Sequence, residues 1–333
     1  MITVKIFLSL VPVLLFLLFL VLLDSFKLIK KKLIFVCLIW GMISAILAYY
    51  LNTSLINGAF IHDENLALKI FPPFVEESLK ILIILILIKW NKVGFMIDGA
   101  IYGFGVGAGF SLIENLFYLH ELQSDIIMLW MVRGFGTAIM HGGTIAVASM
   151  VIMQAVGRQK SSLFAGIFGW LIAVSIHFVF NRFLFSPIIS TIIIIIALPT
   201  IIIFIFTSNE NSLRNWLEIE FDAEVKMLQM IKKGKFASTR SGEYLLSIKS
   251  RFSPLVVFDM LTYISLFLEL SIKAKRNLLL KESGFEVIKI PGLENYFKEM
   301  KSLRKSIGKT GLMAIHPILR MSKKDLWKLT LLE

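Results

Sequence analysis

The sequence predicts an all-α polytopic membrane bundle of about seven spans, followed by a mostly helical cytoplasmic C-terminal domain. Three observations lead there. Of the 333 residues, 57% are hydrophobic and only 17% are charged, with a mean hydropathy of +0.79; soluble domains run near 45–50% apolar and about 25% charged. Apolar runs of about 20 residues, long enough to cross a bilayer, recur through the first 206 positions. The composition then changes, from 13 Lys+Arg and 9 Asp+Glu in 1–206 to 22 and 14 in 207–333. These features exclude a soluble globular enzyme, a disordered chain and a disulfide scaffold. Cys37 is the one cysteine, so no intramolecular disulfide and no CxxC site can form.

The spans fall at roughly 4–23, 33–51, 66–88, 95–119, 127–156, 163–184 and 188–206. The first reads as a retained span: its apolar run reaches Leu23, past the length of a signal-peptide core, and no small-residue cleavage site closes it. Loop charge alternates. Lys27, Lys30, Lys31 and Lys32 follow span one, Lys89 and Lys92 follow span three, and Arg158 and Lys160 follow span five. The intervening loops hold His62, Asp63, Glu64, His120, Glu121 and Asp125 without Lys or Arg. The positive-inside rule then puts the N-terminus outside and the tail in the cytoplasm. It also assigns much of the net charge of +12 to cytoplasmic loops and a membrane-facing tail, not to nucleic acid. The Asn52-Thr53-Ser54 sequon reads as a three-residue coincidence.

The division therefore falls at 1–206, a transmembrane domain, and 207–333, a cytoplasmic helical domain of unknown role. The tail opens on a turn-rich exit, Thr207 to Ser212, with good helix N-cap residues. Trp216, Ile219, Val225, Leu228 and Ile231 recur at helical spacing. Val256–Leu270 is apolar but carries Asp259 and Glu269, which predicts a buried core helix and not a span. Gly284, Pro291-Gly292, Gly308, Gly311 and Pro317 punctuate the remainder. A regulatory or docking role, with a cytoplasmic partner or anionic lipid, suits this tail.

Function is read from the polar residues inside the spans, because a lipid-exposed charge at the bilayer centre costs about 2.5–3.5 kcal/mol on insertion scales. Span three carries Glu76, Glu77 and Lys80. Span four carries Glu114 and Asn115, with Phe110 one turn earlier. Span five carries His141, with Arg133 two turns before it, and span six carries His177 and Asn181. At about 1.5 Å per residue, the carboxylates and histidines fall at depths that one cavity between the midplane and the outer face can contain. Pro72-Pro73 predicts a broken or kinked helix just before Glu76. Gly103xxxGly107 and Gly105xxxGly109 are small-residue pairs that let helices approach closely and bring Glu114 toward Glu76.

Amide hydrolysis needs a base, which a buried glutamate can supply. Lys80 lies one turn from both Glu76 and Glu77 and can hold one of them ionised. His177 and Asn181, at i and i+4, offer donors to a developing oxyanion. Alternatively Glu76, Glu114, His141 and His177 could ligate zinc or another divalent metal, although no HExxH is present. Blander readings stand beside these. Glu76–Lys80 could merely fix helix register, His141 could be an interhelical hydrogen-bonder, and His177 with Asn181 could be structural glue. Arg133 near a span boundary reads as a snorkelling residue, Asp98 as interfacial, and His62, His120 and His316 as solvated. A proton-coupled transporter or channel could also use such a Glu/His cluster; it would call for paired broken helices.

Taken in order, Glu76-Glu77-x-x-Lys80, Phe110-x-x-x-Glu114-Asn115, His141 after Arg133, and His177-x-x-x-Asn181 resemble the PrsW family of bacterial intramembrane proteases, distant relatives of the CAAX prenyl endopeptidases and Abi proteins. Those relatives carry EExxxR, FxxxH and HxxxN motifs on successive spans. The resemblance covers about residues 66–184. It implies cleavage of a membrane-anchored substrate protein, typically an anti-sigma factor. Carried over, Glu76 looks like the base that activates water, with Glu77 beside it. His177 and Asn181 look like the oxyanion donors, and His141 a supporting residue. Glu114 stands where the CAAX relatives have a second, water-holding histidine. Lys80, Phe110, Asn115 and Arg133 would support the site. No cofactor is required on this reading, and the zinc alternative stays open.

Overall fold

The structure, a computed structural model, describes residues 2–24, 29–57, 64–122, 124–157, 162–182 and 186–319. Lys27, His62, Asp63, Arg158 and Lys160, used above for loop charge, lie outside the described residues. The described chain is helical and contains no strand. The helices are α1 (Ile2–Leu22), α2 (Lys31–Asn57), α3 (Glu64–Lys89), α4 (Met96–Glu121), α5 (Ile127–Met131), α6 (Ala138–Gly157), α7 (Ser162–Asn181), α8 (Pro187–Lys232), α9 (Arg240–Ile248), α10 (Pro254–Glu282) and α11 (Leu293–Leu319). A single π-helical stretch, Val132–Thr137, joins α5 to α6. Two compact units form, Met1–Asn209 and Glu210–Glu333.

Seven of these helices are long and apolar enough to cross a membrane: α1, α2, α4, the α5–α6 run, α7, the first part of α8 through Ser208, and α10. The chain is thus a multi-pass membrane protein. The set differs from the sequence reading by one exchange. Helix α3 is missing from the set because Glu76, Glu77 and Lys80 interrupt its apolar stretch. Helix α10 enters it, although Asp259 and Glu269 lie on it. Within the second unit, Met260, Ile264, Phe267 and Leu270 of α10 pack with Met300, Ile307 and Ile315 of α11. The fully buried Lys275 there pairs with Glu220 and Glu224, each at 3.1 Å.

Helix α4 is the centre of the first unit. It packs against α6 on one side and α2 on the other, and its residues from Ile97 through Ser111 are buried. Glycine makes this possible on both faces. A Cβ at Gly107 would lie 2.0 Å from the backbone oxygen of His141, and one at Gly103 would lie 2.6 Å from that of Ile145, so that face is pressed against α6. A Cβ at Gly109 would lie 2.0 Å from Leu38 O of α2. The two small-residue pairs therefore serve two different neighbours. Asp98 is 1% exposed. Its Oδ2 accepts from the backbone N–H groups of Gly94 and Phe95 and closes the start of α4.

Two expectations about helix breaks are corrected. Helix α3 runs through Pro72-Pro73 without interruption. The carbonyls that lose their i+4 donors fall at 68 and 69, within the first two turns, so few ladder bonds are given up. The broken-helix feature that would favour a transporter is accordingly not present in α3. The second correction concerns the exit from the bundle. Helix α8 continues unbroken through Thr207–Ser212 to Lys232, because extending an existing helix needs only one fixed residue per new bond, whereas starting another requires a nucleus. In the second unit α11 does bend at Gly308, whose φ is +70°.

Filling one of these close approaches tests the packing. Gly107→Val pushes a branched side chain into the α6 backbone, and overpacking of this kind costs about 1–3 kcal/mol or more. The detergent-solubilised variant is expected to melt well below wild type. Gly105→Ala, whose added Cβ would meet Cys37 at an ordinary 3.6 Å, is expected to melt with wild type.

Candidate active site

Four helices deliver the polar residues to one place. Glu76, Glu77 and Lys80 occupy one side of α3, since i, i+3 and i+4 share a helix face. Glu114 and Asn115 sit toward the C-terminal end of α4, His141 begins the second turn of α6, and His177 and Asn181 end α7. The close approach at Gly107 sets the backbone of His141 against α4, and from there the ring reaches Glu114: Nε2 lies 3.1 Å from Oε2.

Lys80 is fully buried, and its ammonium occupies the middle of the cluster. Nζ lies 2.8 Å from Glu77 Oε1, 2.8 Å from His141 Nδ1 and 3.7 Å from Glu76 Oε2. The Phe110 ring covers it at 3.8 Å and also packs on the His141 ring. Glu77, equally buried, accepts from Lys80 and, at 2.7 Å, from His177 Nδ1 on one oxygen, and from Thr144 Oγ1 at 3.3 Å on the other.

These bonds set the two histidines differently. An ammonium has only donors, so His141 Nδ1 accepts from Lys80 and its proton sits on Nε2, donated to Glu114. A carboxylate only accepts, so His177 donates from Nδ1 to Glu77, and a neutral ring keeps a lone pair on Nε2. That nitrogen lies 3.9 Å from Glu76 Oε2, an oxygen that is buried and accepts no hydrogen bond among the described residues. The rings meet edge to face, 4.9 Å apart.

Arg133 does not snorkel. The π-helical stretch turns it inward, and its side chain is only 12% exposed. Its Nε donates to Asn115 Oδ1 at 2.9 Å, its Nη2 lies 3.3 Å from Glu114 Oε2, and its guanidinium stacks on Tyr118. Asn115 in turn donates to Ser9 O of α1. A Cβ at Gly134 would lie 1.8 Å from Leu8 O, so α1 also presses on the π turn directly. Such turns mark functional places in other helices as well. His120 and His316 are exposed, His120 beside Glu121; His62 lies outside the described residues. At the loop before α5, a hydrogen bond from Lys5 holds the Asp125 carboxyl below the usual carboxylate range.

The cluster opens on a cavity of about 570 Å³, lined by Glu76, Phe110, Glu114, His141, His177 and Asn181, with α2 forming a further wall. Glu77 and Lys80 stand behind this surface. Ligand atoms of Glu76, His141 and His177 lie within 4.8 Å of one another. Oxygen and imidazole donors at that spacing suit a divalent transition metal, and Glu77 on His177 Nδ1 is the outer carboxylate that orients a metal-binding imidazole. These residues fit a metal. His141 would join through Nε2 only by giving up its bond to Glu114. Glu114 stands next to this trio and not within it.

The model of the PrsW family intramembrane metalloprotease matches residues 30–207, just over half of the chain. The chain belongs to the PrsW family. The PrsW match runs from the start of α2 to α8 at Thr207, and leaves α1 and the second unit outside. Membership makes the protein an enzyme of the intramembrane protease class. No curated protein and no solved structure matches it.

Sequence reasoning missed Thr144 and the wall from α2. Thr144 was findable, one helical turn beyond His141 on the same span. The α2 wall carries no ionisable side chain and gave no such signal. Replacing Lys80 by Met leaves the Glu77 carboxylate buried without its cation, and breaking a buried pair costs about 3–5 kcal/mol. Lys80→Met is expected to lower the thermal midpoint of the purified protein markedly; an unchanged midpoint would show that the pair contributes nothing to the bundle.

Proposed function

We propose that the protein is an intramembrane endopeptidase that hydrolyses one peptide bond of a membrane-anchored protein, an anti-sigma factor or another regulatory single-span protein, in a bacterial plasma membrane. The observation that supports it is the delivery of Glu76, Glu114, His141, His177 and Asn181 from four helices to one cavity in a membrane bundle. The substrate helix unwinds into this cavity. Glu76, whose Oε2 has no hydrogen bond to hold it, takes a proton from the attacking water. Asn181 donates to the oxyanion that develops on the scissile carbonyl. Glu77 and Lys80 touch no substrate: they hold His177 and His141 in their orientations. Arg133 pairs with Glu114 and keeps it aimed at His141.

A divalent metal is the second reading, favoured by the lone pair that Glu77 leaves on His177 Nε2. Glu76 and His177 would hold it with His141, and it would supply Lewis-acid polarisation of the reacting oxygen. The basic residues at Lys30–Lys32, Lys89 and Lys92 support an outside N-terminus and a cytoplasmic regulatory or docking domain at 207–333, in which α10, packed on α11, is a core helix and not a span.

Purified protein in proteoliposomes is tested on single-span reporters. Glu76→Gln is expected to lower the cleavage rate by about 10²–10⁴-fold, and Asn181→Ala by about 10²–10³-fold. Undiminished cleavage in Glu76→Gln, His177→Ala and Asn181→Ala, all folded, would sink the proposal. Metal content separates the two readings: one equivalent of metal, lost with His177→Ala together with activity, supports the metal form. A metal-free active protein indifferent to chelators supports glutamate alone.

A further inference from the structure

The wall that α2 gives to the cavity has a polar atom with nothing to do. Asn52 Oδ1 is buried and has no hydrogen-bond partner among the described residues, and Asn52 lines the same cavity as Glu76 and His177. Ala45, Ala48, Tyr49 and Asn52 follow one another at i, i+3, i+4 and i+7, so one stripe of α2 faces the cavity along about 10.5 Å. Its near end is small: Ala45 and Ala48 pack on Phe110, which touches His141. Its far end is Asn52. On α4 the stripe Phe110, Glu114, Phe117 and Tyr118 runs beside it. The two stripes meet through their aromatic rings, Tyr49 on Phe117 at 5.1 Å, and Tyr50 packs beside Tyr49 at 5.5 Å. Tyr50 is 64% exposed and Phe117 40% exposed, so this end opens sideways out of the bundle.

An extended chain advances about 3.3 Å per residue, so the α2 stripe from Ala45 to Asn52 matches about three residues. A substrate helix that unwinds there exposes backbone N–H groups, each needing an acceptor. We propose that this groove is the substrate subsite beside the scissile bond. Asn52 Oδ1 accepts a backbone N–H of the unwound segment, and the Tyr49, Tyr50, Phe117 and Tyr118 wall takes a bulky apolar or aromatic side chain two to three residues from the cut. The inference rests on the endopeptidase reading and adds the substrate's required chemistry to it. The Asn52 sequon is thereby explained as a lining position and not a glycan site.

The test uses full-length protein in proteoliposomes and designed single-span reporters. Each reporter is a Leu/Ala span broken near its outer end by Gly-Gly, with Phe, Leu, Ala or Asp placed two to three residues away. Wild type is expected to prefer Phe and Leu over Ala and to reject Asp. Asn52→Ala is expected to raise KM about 3–10-fold, the effect of one lost hydrogen bond, with kcat little changed. Tyr49→Ala is expected to abolish the preference for Phe over Ala. A benzoyl-phenylalanine photocrosslinker replacing Tyr50 in the Glu76→Gln protein is expected to capture the Phe reporter and to be outcompeted by it uncrosslinked. Cleavage by wild type with KM and side-chain preference unmoved in both variants overturns the subsite while leaving the endopeptidase reading intact. Crosslinking to phospholipid alone overturns it in favour of an acyl-chain pocket. Reporter capture without any cleavage by wild type supports the groove as a binding site and overturns the endopeptidase reading.

Discussion

A buried ammonium orders the rest of this bundle. Lys80 has no exposure at all, and in that position a charge is tolerable only with an opposite charge and filled hydrogen bonds around it. Glu77 provides the charge, His141 Nδ1 an acceptor and Phe110 an electron-rich face. Each of these comes from a different segment, so satisfying one lysine draws α3, α4 and α6 together. The same pair then decides what the histidines can do. His141 is turned with its N–H toward Glu114, and His177, held by Glu77, is left with a lone pair facing Glu76. Two chemically identical side chains therefore acquire opposite roles from one ion pair.

The approach of the backbones is the second constraint. Apolar side chains gain little from leaving lipid for one another, so small residues and interhelical hydrogen bonds hold membrane helices together. Helix α4 applies both. Glycines on two faces admit α6 and α2 to backbone contact, and its polar end reaches α1 through Asn115 and Ser9. The π turn is the counterpart on the other strand of the site. It lets Gly134 seat against α1 while Arg133 points at Glu114, which an uninterrupted α-helix of the same sequence would place on another face.

Much of the fold was legible because lipid imposes a simple rule: long apolar runs become helices, and their spacing survives folding. The spans at 33–51, 95–119, 127–156 and 163–184 correspond closely to α2, α4, the α5–α6 run and α7. The misreadings share a cause. Pro72-Pro73 and the polar stretch after Thr207 look like breaks locally, yet α3 and α8 pass through both, because helix continuation depends on neighbouring turns as well as on the residue itself. Arg133 looks like a boundary residue when only depth is counted, yet its partner Asn115 lies 18 residues away on α4.

What the sequence by itself determined is the inventory: a membrane bundle, and a small set of ionisable residues placed where lipid would expel them unless they met. Their helical periodicity also determined that Glu76, Glu77 and Lys80 share one side of a helix. The tertiary structure decided the partners. Which carboxylate holds Lys80, which nitrogen of each histidine is free, and that Arg133 turns inward all depend on angles between helices, which no one-dimensional pattern records. The α2 groove is the plainest case. Asn52, Tyr49 and Tyr50 are unremarkable in sequence, and they gain meaning only because α2 packs beside α4 and turns one stripe toward the buried carboxylates.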